Sequence, residues 1–172
     1  MLSPAVTEAA SRLCLACGMC CNGVLFHIVR LQPTDSVKAL EKMGMKLSRK
    51  KTEPYFNQPC RFLQGCTCQV YEHRPTRCRL FECQQIHGLA AGQITEAEAL
   101  IVIRQTQEAV ARVERLLSER GNTATERPLM ERFRETRQES GEPDLPLVEE
   151  MQRVNELLNQ HFRTTPIPWW DS

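Results

Sequence analysis

A chain of 172 residues is long enough for one domain, or one domain with a subdomain, and can bury a core unaided. With 41% hydrophobic and 25% charged residues it reads as a folded protein, which excludes intrinsic disorder as the main state. Its 22 basic and 21 acidic residues leave a formal charge of +1, so the balance gives no general pull toward nucleic acid or an anionic membrane.

Residues 1–11 show no basic segment followed by an apolar run, and no stretch approaches about 18 consecutive apolar residues. Neither a secretory signal nor a membrane span is predicted, and the expected location is the cytoplasm. In that reducing compartment nine cysteines, an odd number for a paired framework, point to bound metal rather than disulfides.

In chain order, Ser3-Pro4 suits a cap followed by proline in the first helical turn, so a short helix is predicted to lead into Cys14-Leu-Ala-Cys17-Gly-Met-Cys20-Cys21. Continued through this run, the helix would align Cys14, Cys17 and Cys21 and turn Cys20 about a hundred degrees from Cys21. Asn22-Gly23 reads as a turn and residues 24–29 as a buried strand, in which His27 fits a core position better than a ligand. A helix is predicted from Pro33 to Met43, with Thr34, Asp35 and Ser36 at its start, Val37 and Leu40 on one face, and Gly44 as the stop. Lys46, Arg49, Lys50 and Lys51 form a basic run that reads as a solvated loop.

Residues 58–71 read as a hairpin turning at Gln64-Gly65, with Cys60, Cys66 and Cys68 on its arms. A turn at Glu72–Pro75 and a helical stretch bring in Cys78 and Cys83. Five residues apart, these two splay on a straight helix, so either the helix ends between them or only one is a ligand.

The second half has no cysteine. Thr95-Glu-Ala-Glu98 matches a capping box opening a helix to about residue 119 or 120, with Leu100, Ile103, Val110, Val113 and Leu117 on one face and Ile101 and Leu116 widening it. Further helices are predicted over about 126–139, with Leu129, Met130 and Phe133 inward and Ser140-Gly141 as the stop, and over about 146–161, with Val148, Met151, Val154, Leu157, Leu158 and Phe162 inward. Trp169 and Trp170, in a proline-rich tail, are expected to dock on these helices or to offer a sticky contact to a partner.

Which metal the thiols hold can be weighed from spacing. Zinc in a structural site takes four tetrahedral ligands, often from paired cysteines such as Cys14/Cys17 with Cys60 and Cys66 or Cys68. Cys14, Cys17 and Cys20 also have the spacing of a ferredoxin run, whose thiolates hold corners of an iron-sulfur cluster. The vicinal Cys20-Cys21 chelates one ion awkwardly because successive side chains diverge, so the doublet suggests two centres or a polynuclear one. Zinc and iron-sulfur both stay open.

The two signatures, Cys-x-x-Cys-Gly-x-Cys-Cys at 14–21 and the pattern Pro59-Cys60, Phe62-Leu63, Cys68, Val70-Tyr71, Arg74-Pro75, Cys78-Arg79 and Phe81, resemble the CxxCxxCC cysteine-cluster family. These are zinc- or iron-chelating domains of the YkgJ type, whose cluster also occurs in flagellin lysine N-methylases. The resemblance implies metal binding by Cys14, Cys17, Cys20, Cys21, Cys60, Cys68 and Cys78. Cys83 falls where some members carry another cysteine, and Cys66 is a candidate extra ligand. Beside the ligands, Arg74 and Arg79 are expected to offset thiolate charge, and Tyr71 and Phe81 to pack around the site.

The expected fold is α+β, mainly α, with a metal-centred cysteine-rich domain over residues 1–92, containing a hairpin or small sheet, and a helical subdomain over 93–172. The expected function is that of a metal-stabilised module, with a protein partner left open and neither nucleic acid nor a membrane expected as partner. Two alternatives stand beside it: an iron-sulfur enzyme or redox component, with methyl transfer one reaction suggested by the resemblance, and a nucleic-acid-binding zinc module resting on residues 46–51 alone. No phosphate-cradling glycine loop or hydrolase signature is present, and His27, His73, His87 and His161 are scattered.

Overall fold

Ser3 opens the first helix, α1 (Pro4–Cys17): its Oγ accepts from the Val6 amide at 3.4 Å and its carbonyl from the Thr7 amide at 2.9 Å. The structure is a computed structural model and describes residues 3–49, 53–140 and 144–168. The fold class is α+β, mainly α, as the sequence predicts.

The chain falls into two units. The helical unit comprises Met1–Cys17, Glu82–Ala124 and Leu129–Ser172, and the cysteine unit Gly18–Phe81 and Thr125–Pro128.

In the helical unit, α1 and α4 (Gln84–Ala90) accompany α5 (Glu96–Glu119), α6 (Leu129–Ser140) and α7 (Leu145–His161). The capping box at α5 is realised, with the Glu98 amide donating to Thr95 Oγ1 at 3.2 Å and the Thr95 amide to Glu98 Oε2 at 2.7 Å. α5 and α7 share the main core, where Ile103, Val113, Leu117, Leu147, Val154 and Leu158 are almost wholly buried, each contributing about 1.5–3 kcal/mol. The stripe is narrower than predicted, because Ile101 lies on the outer side of α5, 47% exposed. α7 starts at Leu145, with Asp144 Oδ1 accepting from the Leu147 amide. α6 begins only after Pro128, since a residue before proline is disfavoured in helical geometry. α1 lays Ala9, Ala10 and Leu13 inward, is tied to α5 by Arg12–Glu96, and has its last carbonyls, Ala16 and Cys17, capped by Gln107 Nε2 at 2.8 and 3.2 Å.

The cysteine unit is built on short pieces. β1 (Ile28–Arg30) pairs antiparallel with β2 (Tyr55–Asn57), Val29 opposite Phe56. The predicted strand over 24–29 is shortened because the Leu25 amide is engaged by the Met19 carbonyl and β2 offers only three partners. α2 runs Val37–Lys42, starting later than predicted. Asp35 is diverted: its carboxylate accepts from the Gln32 amide and from Thr76, leaving Ser36 as the cap. Val29, Leu31, Leu40, Met45 and Phe56 form the unit's core, with Cys60 and Cys78 packed at its edge. The hairpin is β3 (Leu63–Gln64) and β4 (Thr67–Cys68); its turn is Gly65-Cys66, so Cys66 sits in the turn rather than on an arm. A 3-10 turn (Tyr71–His73) leads to α3 (Thr76–Leu80), which ends before Cys83 because Phe81 is extended.

Among the described residues no helix is long and apolar enough to cross a membrane. Lys50, Lys51, Gly141, Trp169 and Trp170 lie outside the described residues.

Candidate metal centre

The first cysteine block is a helix that stops and a turn that follows. Gly18 takes φ +65°, a left-handed conformation that ends α1 at Cys17, and its carbonyl then accepts from the Cys21 and Asn22 amides at 2.9 and 3.1 Å. The continuous helix expected through Cys21 is thereby corrected. Cys20 and Cys21 leave a turn, not a helix, and their sulfurs lie 3.7 Å apart instead of diverging. Met19, 1% exposed, anchors the turn.

The second block is pinned to this turn through its backbone. The Cys60 amide donates to the Cys21 carbonyl at 2.7 Å, and Gln58 Nε2 donates to the Cys20 carbonyl at 3.3 Å. The Gln58 amide is held in turn by the His27 carbonyl at 2.9 Å. Cys78 is brought in by α3, whose first residue is fixed by Asp35 Oδ1, accepting from the Thr76 amide at 2.8 Å and its hydroxyl at 2.7 Å. In the sequence Asp35 reads only as part of a helix start, and Gln58 carries no signal. Both act on residues tens of positions away, for which local pattern carries no signal.

The thiols perturb one another. The hydrogen bond with Cys21 brings Cys20 down to about 7, against burial and with help from the nearby Arg74 charge, while Cys21, left holding the shared proton, is pushed strongly up. Burial pushes Cys60 up, opposed by the Phe62 amide and reinforced by Cys68 and Cys20. Burial also pushes Cys78 up to about 12, with Cys60, Cys20 and Cys68 adding and Arg74 opposing. Each of Cys20, Cys21, Cys60 and Cys78 is thus within electrostatic reach of the other three, and Cys68 is within reach of Cys60 and Cys78.

That donor set suits a cation. Half-buried thiols this close to one another would repel if all were ionised beside one guanidinium, so protons are retained; a divalent ion reverses the balance, because ligation deprotonates the thiols. Among the described residues no three His, Cys, Asp or Glu side chains already close on one point in binding geometry.

Cys66 packs on Gly18, where a side chain would come within 3.0 Å of its sulfur. Cys14, exposed, and Cys17 lie on α1, and Cys83 precedes α4; all three belong to the helical unit. Among the described residues no disulfide links the cysteines. Arg74 lies over the Tyr71 ring, 3.7 Å from its centroid, and its charge acts on Cys20 and Cys78. Arg79 instead bonds Thr76 Oγ1 at 3.4 Å and acts on Asp35. Phe81 packs edge-on to Phe26, with ring centroids 4.8 Å apart.

No curated protein and no solved structure matches the chain. A family model, CxxCxxCC, described as "putative zinc- or iron-chelating domain", matches residues 13–109, which takes in both cysteine blocks and more than half of the sequence. The chain belongs to the CxxCxxCC family of zinc- or iron-chelating domains.

Proposed function

We propose that residues 18–81 form a metal-stabilised module in which Cys20, Cys21, Cys60 and Cys78 share one tetrahedral ion, zinc. The observation that carries this reading is the 3.7 Å between the sulfurs of Cys20 and Cys21. Two thiolates on one tetrahedral zinc, each bonded at about 2.3 Å, are separated by about 3.8 Å. Thiolates on different irons of a cluster stand farther apart, because the iron–iron spacing adds to the separation. Cys68, within reach of Cys60 and Cys78, is the substitute fourth ligand. Four thiolates would close the coordination sphere, so the ion's contribution is to cross-link the two cysteine blocks rather than to activate a substrate.

Elemental analysis and visible spectroscopy of anaerobically purified protein test the reading. The expected result is a colourless protein with one equivalent of zinc, whose circular dichroism and thermal midpoint fall on chelation. A brown protein holding several irons per chain, or metal removal without loss of structure, overturns it.

A further inference from the structure

The near-zero charge of the whole chain conceals a division. The cysteine unit holds 12 basic and 5 acidic residues, a net +7, and the helical unit 10 and 16, a net −6. Within the basic unit, Tyr71–Leu80 concentrates Arg74, Arg77 and Arg79 against a single acid, Glu72. Among the described residues none of the three guanidiniums is within salt-bridge distance of a carboxylate. The same ten residues carry two exposed large apolar side chains, Tyr71 at 50% and Leu80 at 74%.

We infer that this exposed segment, Tyr71 with Arg74, Arg77, Arg79 and Leu80, binds single-stranded nucleic acid. Every cation in the stretch is an arginine, whose planar fork matches phosphate oxygens in pairs and stacks on rings, as Arg74 does on Tyr71. An exposed aromatic among arginines is the pairing that holds an unpaired base over a tracked backbone. A duplex is disfavoured as occupant, since α3 has only five residues and cannot lie along a major groove as a reading helix does. An acidic protein would use the charge but has no need of the ring. A tetrathiolate site around a divalent ion would lower the unit's charge by two and leave it basic, so this inference does not depend on which metal is bound.

The test is fluorescence anisotropy of the full chain, purified anaerobically, with a labelled single-stranded RNA of mixed sequence and its DNA counterpart. Three phosphate contacts predict an affinity falling about 20-fold between 50 and 200 mM salt. The double substitution Arg77→Glu with Arg79→Glu, compared with wild type at equal metal content, is expected to weaken binding at least tenfold, and Tyr71→Ala to weaken it about tenfold. Should the charge reversal unfold the protein, Arg77→Gln with Arg79→Gln should cut the salt slope to about a third. Absence of binding at 50 mM salt, indifference to these substitutions, or equal binding of polyglutamate or phosphatidylserine vesicles overturns the inference.

Discussion

The backbone amide of Cys60 donates to the carbonyl of Cys21 across 2.7 Å, so the two cysteine blocks meet through main chain before any ion joins their sulfurs. Gln58 reinforces the junction from the preceding residue pair, with Nε2 on the Cys20 carbonyl and Oε1 buried without a protein partner. Replacing Gln58 with Ala is therefore expected to destabilise the protein by about 1–3 kcal/mol and to weaken metal retention in a competition with a chelator.

The four clustered thiols should be unequal to the others. Serine at Cys21, Cys60 or Cys78 is expected to reduce bound metal to well under half an equivalent by elemental analysis, since a closed site loses a quarter of its donors. Serine at Cys66, which packs on Gly18, should leave the metal content unchanged. Retention of a full equivalent in Cys60→Ser would reject the proposed ligand set.

Gly18 combines φ +65° with a Cys66 sulfur 3.0 Å from where a Cβ would sit. Gly65, at φ +57°, has nothing within 4 Å of the same point. Gly65→Ala should cost about 1–2 kcal/mol in denaturant unfolding, from backbone conformation alone, and Gly18→Ala should cost more. Equal losses would show that the Cys66 contact yields freely.

Asp35 gives a pH signature. Burial raises its carboxyl pKa, but the Gln32 amide and the Thr76 hydroxyl and amide outweigh that and, with Arg79, hold it below its ordinary value of 3.8. A carboxylate with a depressed folded-state pKa contributes stability that is complete above its unfolded value and is lost as pH falls through the folded one. The wild type should lose stability below about pH 4 more steeply than Asp35→Asn, as followed by circular dichroism in acid titration. Coincident curves would remove Asp35 as the anchor of α3.

Thr95→Ala should cost about 1 kcal/mol in thermal or denaturant unfolding by removing the α5 cap. Because the cap lies in the helical unit, metal content should be unchanged.

Local pattern determined what depends on near neighbours in the chain. Ser3-Pro4, Thr95 with Glu98, and the apolar spacing of Ile103, Val113 and Leu117 specify helix starts and buried faces, because a cap or a stripe is set within a few residues. The cysteine spacings and the residues around Arg74-Pro75 likewise identified the metal-binding family. What the tertiary structure decided was the grouping of the thiols. Gly18 could be recognised as a glycine in a helix-forming run, yet only its left-handed backbone ended α1 and turned Cys20 and Cys21 toward the same side. The links that brought Cys60 and Cys78 to them run through Gln58, Asp35 and Thr76, contacts spanning about forty residues of chain, and these depend on how short strands and loops pack, which no periodicity encodes.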